Sequence, residues 1–206
     1  MYEHSHTISM QEFVVKILFL FSFIEATRES LAKTVYKLLP KQDLSRVGCF
    51  SPKSYIDFEV WHLELISGLV ILISLSRYLL LKTWPDFAES SEAANQQVLT
   101  SLQPLDYIIV AFLPGVSEEL LFRGALLPLF GSNWRSALIV AIIFGVLHLG
   151  SGRKYSFAVW PTFVGLVYGH ATIVSSSLIV PMASHAVNNL VGGMLWRYRS
   201  DSSRMI

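Results

Sequence analysis

The 42 residues between Lys154 and Arg197 contain no aspartate, glutamate, lysine or arginine. As α-helix, at about 1.5 Å per residue, this stretch is roughly 63 Å long, enough for two crossings of a hydrocarbon layer about 30 Å thick. Charged residues make up 15% of the whole chain, compared with about 25% in an average soluble domain. The sequence therefore excludes an ordinary water-soluble globule and a disordered chain, and it predicts an integral membrane protein.

The net charge and the cysteine content exclude further classes of protein. The formal net charge is +1, so no basic excess points to nucleic acid and no acidic excess points to cationic partners. Cys49 is the single cysteine, which rules out an internal disulfide and a thiolate metal cluster. Membrane lipid is the partner that this composition indicates.

Apolar stretches separated by turn signals predict an all-α fold, a polytopic membrane bundle of about six helices with a four-helix core in the C-terminal half. The turn signals are Gly131–Arg135, Gly150–Lys154 and Ser175–Ser177. The predicted helices span residues 11–39, 58–82, 105–129, 136–149, 157–174 and 178–197. The predicted domains are N-terminal membrane helices (1–82), an amphipathic helical linker (83–104), the core (105–197) and a polar tail (198–206). Arg77, near the end of its helix, is expected to snorkel to the membrane surface.

Ionisable side chains inside the predicted core are few, and each is a functional candidate because a charge at the bilayer centre costs about 2.5–3.5 kcal/mol. Glu118, Glu119 and Arg123 lie near the middle of the first core helix. Glu119 and Arg123 are four residues apart and can pair, whereas Glu118 projects about 100° away. This pattern predicts a general base beside a structural ion pair. The alternative is a polar helix face that lines an internal cavity or a helix contact.

Four of the six histidines lie in or near predicted helices and differ in their surroundings. His185 and Asn189 are four residues apart, so both side chains lie on one face of an otherwise apolar helix. They predict a pair of donors for an anionic oxygen, with an interhelical hydrogen-bonded pair as the alternative. His148 ends its helix, where a histidine taken alone is more often interfacial than catalytic. His170 and His62 have no partner at helical spacing and are interpreted as structural.

Together these side chains form a candidate site that lacks a protein nucleophile. A carboxylate, two imidazoles and a carboxamide are sufficient to activate water and to stabilise a tetrahedral oxyanion, which is the chemistry of amide hydrolysis. Ser117 is not in a GxSxG elbow, because Glu119 stands where the second glycine should be.

Three motifs occur in an order that resembles one family: E-E-x-x-x-R at 118–123, F-x-x-x-H at 144–148 and H-x-x-x-N at 185–189. They resemble the CPBP family, the CAAX-prenyl-protease and bacteriocin-processing membrane proteins, also called the ABI family. The resemblance covers about residues 101–196. The sequence around the first motif is most similar to plant plastid and cyanobacterial members. It therefore implies a plastid membrane (chloroplast), with the endoplasmic reticulum as the alternative.

The resemblance implies an intramembrane endopeptidase that hydrolyses a peptide bond near the C-terminus of a protein or peptide substrate. In the eukaryotic branch the last three residues after a prenylated cysteine are removed, so a prenylated substrate is one expectation here. Carried over to this sequence, the resemblance implies that Glu118 is the general base and that His148 positions the water. His185 and Asn189 would stabilise the oxyanion.

Further residues have supporting roles in the resemblance. Those that hold the helix geometry or pack beside the site would be Glu119, Arg123 and Phe144. A metal-free mechanism without a cofactor is expected, because a glutamate-type reaction needs no metal and no HExxH motif is present. Zinc is the alternative, and its ligands would be Glu118, His148 and His185.

Two functions without peptide hydrolysis stay open from the sequence. A non-catalytic membrane scaffold or regulator with the same fold would depend on the segment 83–104 rather than on Glu118. A small transporter would use the glutamates and histidines as a proton relay, and the absence of an inverted repeat in the sequence weakens that alternative.

Overall fold

The computed structural model of the chain describes residues 57–149 and 154–204, and this part consists of six helices without strands. The helices are α1 (Val60–Thr83), α2 (Pro85–Leu99), α3 (106–130), α4 (Trp134–Leu147), α5 (Tyr155–Ser175) and α6 (Ile179–Arg204). The all-α prediction is confirmed. The ends of α1, α3, α4 and α5 agree with the predicted ends to within two residues, whereas α6 runs seven residues past its predicted end. The helix predicted over 11–39 and Cys49 lie outside the described residues, and the domain division stays a prediction.

Local chemistry at the turns explains where the core helices begin and end. Gly131, with φ of 92°, ends α3 in a conformation that favours glycine. The Asn133 side chain then caps α4 by accepting hydrogen bonds from the backbone N–H groups of Arg135 (3.0 Å) and Ser136 (3.2 Å). Between α5 and α6 the chain reverses at Ser176, which has a left-handed φ of 52°. Both turns lie at predicted turn signals.

Two helices in the described part, α1 and α5, are long and apolar enough to cross a membrane. The apolar helix α4 is shorter, at 14 residues. Large apolar side chains on α1 are exposed in the isolated chain, among them Ile71, Leu75 and Leu79. Exposed aliphatic side chains along a whole helix are typical of a surface that faces lipid.

The bundle is organised by two tight helix pairs, α4 with α5 and α3 with α6, and α1 packs against α6 beside them. Phe122, Val140 and Phe144 form the core between α3 and α4, and Leu69 packs on Val180 between α1 and α6. Because lipid tails are as apolar as these side chains, close packing and hydrogen bonds hold such a bundle together more than hydrophobic burial does. The polar contacts between helices therefore matter for stability as well as for chemistry.

Helix α2 is held to the bundle by polar bonds at its exposed face. Lys154 Nζ, at the start of α5, lies 2.8 Å from Asp86 Oδ1 and 2.6 Å from Glu89 Oε2. The hydrogen bonds to Asp86 and Glu89 raise the pKa of Lys154 to about 12. Further along α2, Glu92 accepts a hydrogen bond of 2.9 Å from Trp196 Nε1 on α6. The helix predicted for the linker is thus present and contacts both α5 and α6.

Candidate active site

Helix α3 carries the first motif at a change of helical geometry. The α-helical part Asp106–Glu119 passes into a π-helical part, Leu120–Leu126, and then into the short α-helical part Leu127–Phe130. The two glutamates end the first part, and Arg123 lies in the π-helical part. Such π-helical insertions are frequent at functional sites.

The ion pair predicted between Glu119 and Arg123 is confirmed and lies fully inside the protein. Arg123 Nη1 donates to Glu119 Oε1 at 2.9 Å, and the two side chains are 1% and 0% exposed. Arg123 Nη2 also donates to the backbone carbonyl of Gly165 on α5 at 2.9 Å. One guanidinium therefore joins the first motif to a neighbouring helix. Its charge is further covered by aromatic rings, the nearest being that of Phe144, 5.1 Å from Cζ.

His185 on α6 lies between the two glutamates. Its Nδ1 is 2.8 Å from Glu119 Oε1, and its Nε2 is 3.7 Å from Glu118 Oε2. Because an ionised carboxylate only accepts hydrogen bonds, Nδ1 carries the proton in the short contact. The carboxylate of Glu119 thus fixes the orientation of the imidazole and leaves Nε2 toward Glu118.

A glycine allows α3 and α6 to approach closely enough for these contacts. A Cβ built on Gly115 would lie 2.9 Å from the backbone nitrogen of Ala186, closer than real Cβ atoms come. Gly115 is one turn before Glu118 and Glu119, and Ala186 is next to His185. The close approach of the two backbones therefore sets the distance between the carboxylates and the imidazole.

The second motif on α4 brings another imidazole to the same region. His148 Nδ1 lies 2.7 Å from the backbone carbonyl of Phe144, so this nitrogen carries the proton and Nε2 is the basic nitrogen of the neutral ring. The Phe144 ring is 4.6 Å from the His148 ring and 6.5 Å from the His185 ring. Phe144 thus packs against both histidines, in agreement with the role the sequence predicts for it.

The third motif and the residue next to its asparagine bring two carboxamides on α6. Asn189 Nδ2 donates to the carbonyl of Ala111 on α3 at a long 3.4 Å. Asn188 donates to the hydroxyl of Tyr168 at 3.0 Å and accepts a hydrogen bond of 3.0 Å from Ser74 Oγ. The predicted alternative of interhelical hydrogen bonding thus also describes His185 and Asn189, because both bind α3.

A cavity of about 340 Å³ lies against these side chains. His148, His185 and Asn189 line it together with Phe144 and Tyr168. Glu118 and Glu119 are not among the lining residues. Both carboxylates lie close to the ring of His185, which does line the cavity. Three of the four predicted catalytic side chains therefore share one cavity, and the fourth, Glu118, has its Oε2 3.7 Å from His185 Nε2.

Comparison with known proteins assigns the region that contains these motifs. The family model described as "Type II CAAX prenyl endopeptidase Rce1-like" matches residues 100–191, slightly less than half of the chain. Residues 100–191 are similar to the Rce1-like family. This is a membrane-integral peptidase family, and a peptidase family implies a peptide or protein substrate.

A relative in Bacillus subtilis (strain 168) bears the name "Uncharacterized protein YyaK" and is 37% identical over 83 residues. The match covers 36% of this chain and 27% of the relative. The chain therefore spans about a quarter of the length of this relative. No solved structure matches the chain.

The donor set of the Rce1-like segment does not fit a zinc site. No group of three or more histidine, cysteine, aspartate or glutamate side chains within residues 57–149 and 154–204 is arranged to hold a metal ion. We therefore derive no chemical step through a metal.

Three parts of this site were not expected from the sequence. Tyr168 lies with its ring 5.3 Å from the His185 ring, and Asn188 holds its hydroxyl. Arg77 was expected to snorkel and instead lines the cavity against Gly192 of α6. The expectation was wrong because α1 packs this face on α6 rather than on lipid. The available signal was a charge several residues inside an apolar helix for Arg77 and a polar side chain next to Asn189 for Asn188, whereas Tyr168 gave none.

The remaining histidines of the described part stay apart from the cavity. His170 is exposed on α5. His62 is buried at the start of α1, where its Nδ1 accepts a hydrogen bond of 3.1 Å from the backbone N–H of Glu59. The structural interpretation of His62 is therefore confirmed.

Proposed function

We propose that the chain is a multi-pass intramembrane endopeptidase of the CAAX-protease type, which hydrolyses a peptide bond near the C-terminus of a protein substrate, with or without a prenyl group. Water activated by Glu118 is the proposed nucleophile, and no metal takes part. One observation carries the proposal: side chains from two helices, His148 on α4 and His185 and Asn189 on α6, meet at one cavity, and Glu118 Oε2 on α3 lies 3.7 Å from His185 Nε2.

Glu118 is the better candidate for the general base of the two glutamates. Its side chain is 25% exposed, so water can reach the carboxylate. Glu119 is fully buried, and one of its oxygens is shared by Arg123 and His185. A carboxylate held in this way orients its neighbours but cannot approach a substrate.

In the proposed reaction Glu118 removes a proton from water while the water oxygen forms a bond to the carbonyl carbon of the substrate. Nε2 of His148 accepts a hydrogen bond from the second hydrogen of that water, which stays on the oxygen, and so fixes the position of the water. The tetrahedral intermediate then breaks its carbon–nitrogen bond, and the proton held by Glu118 passes to the departing amine. The products are a new carboxyl group and a free amine, so atoms and charges balance.

The oxyanion formed in this reaction needs hydrogen-bond donors on the cavity wall. Asn189 Nδ2 carries two hydrogens, and its contact with the Ala111 carbonyl uses one of them. His185 Nε2 donates to the oxyanion when both ring nitrogens carry a proton, because Nδ1 already donates to Glu119. Loss of a single donor of this kind typically lowers kcat by about 100-fold or more.

Cleavage of a defined peptide by the purified protein tests the proposal. The substrate is a peptide that ends in a C-a-a-X sequence, offered with and without an S-farnesyl group, and the products are identified by mass spectrometry. We expect release of the C-terminal tripeptide by the wild type and a loss of at least about 100-fold in Glu118→Ala and His148→Ala. His170→Ala, which changes an exposed histidine outside the cavity, is the matched control and should retain activity. Equal activity in all four proteins would rule out the proposed roles.

The cellular membrane is a separate part of the proposal. We infer a plastid membrane, with the endoplasmic reticulum as the alternative, from the similarity of the sequence around Glu118 and Glu119 to plastid and cyanobacterial proteins. Fractionation of cells that express a tagged full-length chain tests this inference. Recovery with plastid membranes supports it, and recovery with endoplasmic reticulum membranes contradicts it.

A further inference from the structure

The cavity beside the candidate site carries a positive charge at some distance from the histidines. Arg77 on α1 is half-buried and lines this cavity. Among the described residues, no carboxylate forms an ion pair with it. An ionisable side chain inside a membrane helix is costly and typically marks a functional site.

Other charges in the cavity strengthen this positive character. Arg199 on α6 also lines the cavity and is close enough to repel Arg77 electrostatically. None of the described residues that line the cavity is an aspartate or a glutamate. Arg77, in a cavity without a carboxylate among its described lining residues, favours an anionic ligand, because the ligand would compensate the charge of the guanidinium.

The guanidinium of Arg77 packs against Gly192 of α6. A Cβ built on Gly192 would collide with Arg77 Nη1, so only glycine leaves room for the side chain in this orientation. Gly192 is seven residues along the helix from His185. At about 1.5 Å per residue, Arg77 Nη1 therefore contacts α6 roughly 10 Å from the candidate catalytic histidine.

This distance corresponds to a short length of extended peptide. Three residues in extended conformation span about 10 Å. Between the two ends lie Asn188 and Asn189, whose carboxamides line the same cavity and can bind a peptide backbone. A substrate with its reacting carbonyl at His185 would bring its terminal carboxylate to Arg77 if three residues follow the cleaved bond.

We propose that Arg77, packed against Gly192, binds the C-terminal carboxylate of the substrate and sets the cleavage position three residues from the end of the substrate. The proposal rests on the proposed peptidase function and adds to it the group that is recognised. A guanidinium suits this task because its planar donor pair matches both oxygens of a carboxylate. The ligand is thus a free peptide C-terminus rather than an internal peptide segment.

Two peptides that differ only at their ends test this assignment. Both carry the same S-farnesylated C-a-a-X sequence, one with a free carboxylate and one with a terminal carboxamide. We expect the wild type to cleave the free acid with a kcat/KM about 10- to 100-fold higher, mainly through KM. Arg77→Gln should lower cleavage of the acid to the level of the amide and leave cleavage of the amide unchanged. Arg77→Lys should recover part of the preference, and Gly192→Ala should lose it by displacing the guanidinium. Arg135→Gln, which changes an exposed arginine at the start of α4, should behave like the wild type.

Binding of the same two peptides to a Glu118→Gln chain separates this assignment from the peptidase function. A preference for the acid that Arg77→Gln removes supports the carboxylate site even if no protein cleaves either peptide. Cleavage of acid and amide at equal rates by the wild type would overturn it while the peptidase function stands. The proposal would also be overturned if Arg77→Gln lowered cleavage of both peptides equally and the size of this loss depended on anionic lipid in the membrane. That result would assign Arg77 to binding a lipid headgroup.

Discussion

Replacement of Arg123 by methionine should be strongly destabilising, because it removes one partner of a fully buried ion pair. The guanidinium makes two hydrogen bonds of 2.9 Å, to Glu119 and to the Gly165 carbonyl, and both charged side chains are at most 1% exposed. Breaking a buried pair by deleting one partner costs about 3–5 kcal/mol, since the remaining charge is left without compensation. This corresponds to a factor of about 100 or more in the unfolding equilibrium and to a Tm lower by about 6 °C or more.

Thermal unfolding of the detergent-solubilised chain measures the effect. A second substitution, Glu119→Gln, should recover most of the loss in the Arg123→Met background, because the amide is neutral and its oxygen still accepts a hydrogen bond from His185 Nδ1. Arg135→Met, at an exposed position, is the control for loss of an arginine. A single variant that melts within about 2 °C of the wild type, or a double variant no more stable than the single one, would refute the buried-pair argument.

Further predictions concern packing, pH and metal dependence. Gly115→Leu should separate α3 from α6 at Ala186 and abolish peptide cleavage. The measurement is an activity assay on protein that still elutes as a monodisperse peak, and retained activity would contradict the close approach of the two helices. Lys154→Met should lower thermal stability slightly at pH 8. The raised pKa of Lys154, caused by Asp86 and Glu89, means that the wild type loses its advantage as pH rises from about 10.5 through about 12, and unfolding scans across that range that show a constant difference would contradict this. Treatment with a chelator should leave peptide cleavage unchanged, whereas loss of activity that zinc restores would favour a metal mechanism.

The sequence was sufficient for α1 and for α3 to α6 because each contains an apolar segment bounded by glycine, proline or serine turns. The pairing of Glu119 with Arg123 could also be predicted, because it depends only on a spacing of four residues within one helix. The π-helical geometry of Leu120–Leu126 could not, because a helix of either kind carries the same apolar pattern.

Contacts between helices could not be predicted from the sequence. The spacing of His185 and Asn189 shows that they share a face, but not which helix that face meets. The neighbour of His185 depends on the close approach at Gly115, which is a property of two packed backbones. Arg77 was misjudged for the same reason: whether an arginine near a helix end turns to the membrane surface or to a cavity depends on the helix packed beside it.

Cleavage by the Glu118→Gln chain tests the central claim most directly, because the substitution keeps the shape of the side chain and removes only its ability to accept a proton as a carboxylate. The measurement is the single-turnover rate of tripeptide release from the S-farnesylated C-a-a-X peptide, at matched amounts of folded protein. The account predicts a rate at least about 100-fold below that of the wild type, with unchanged peptide affinity and an unchanged melting temperature. A rate within about threefold of the wild type would contradict the assignment of Glu118 as the base that activates water.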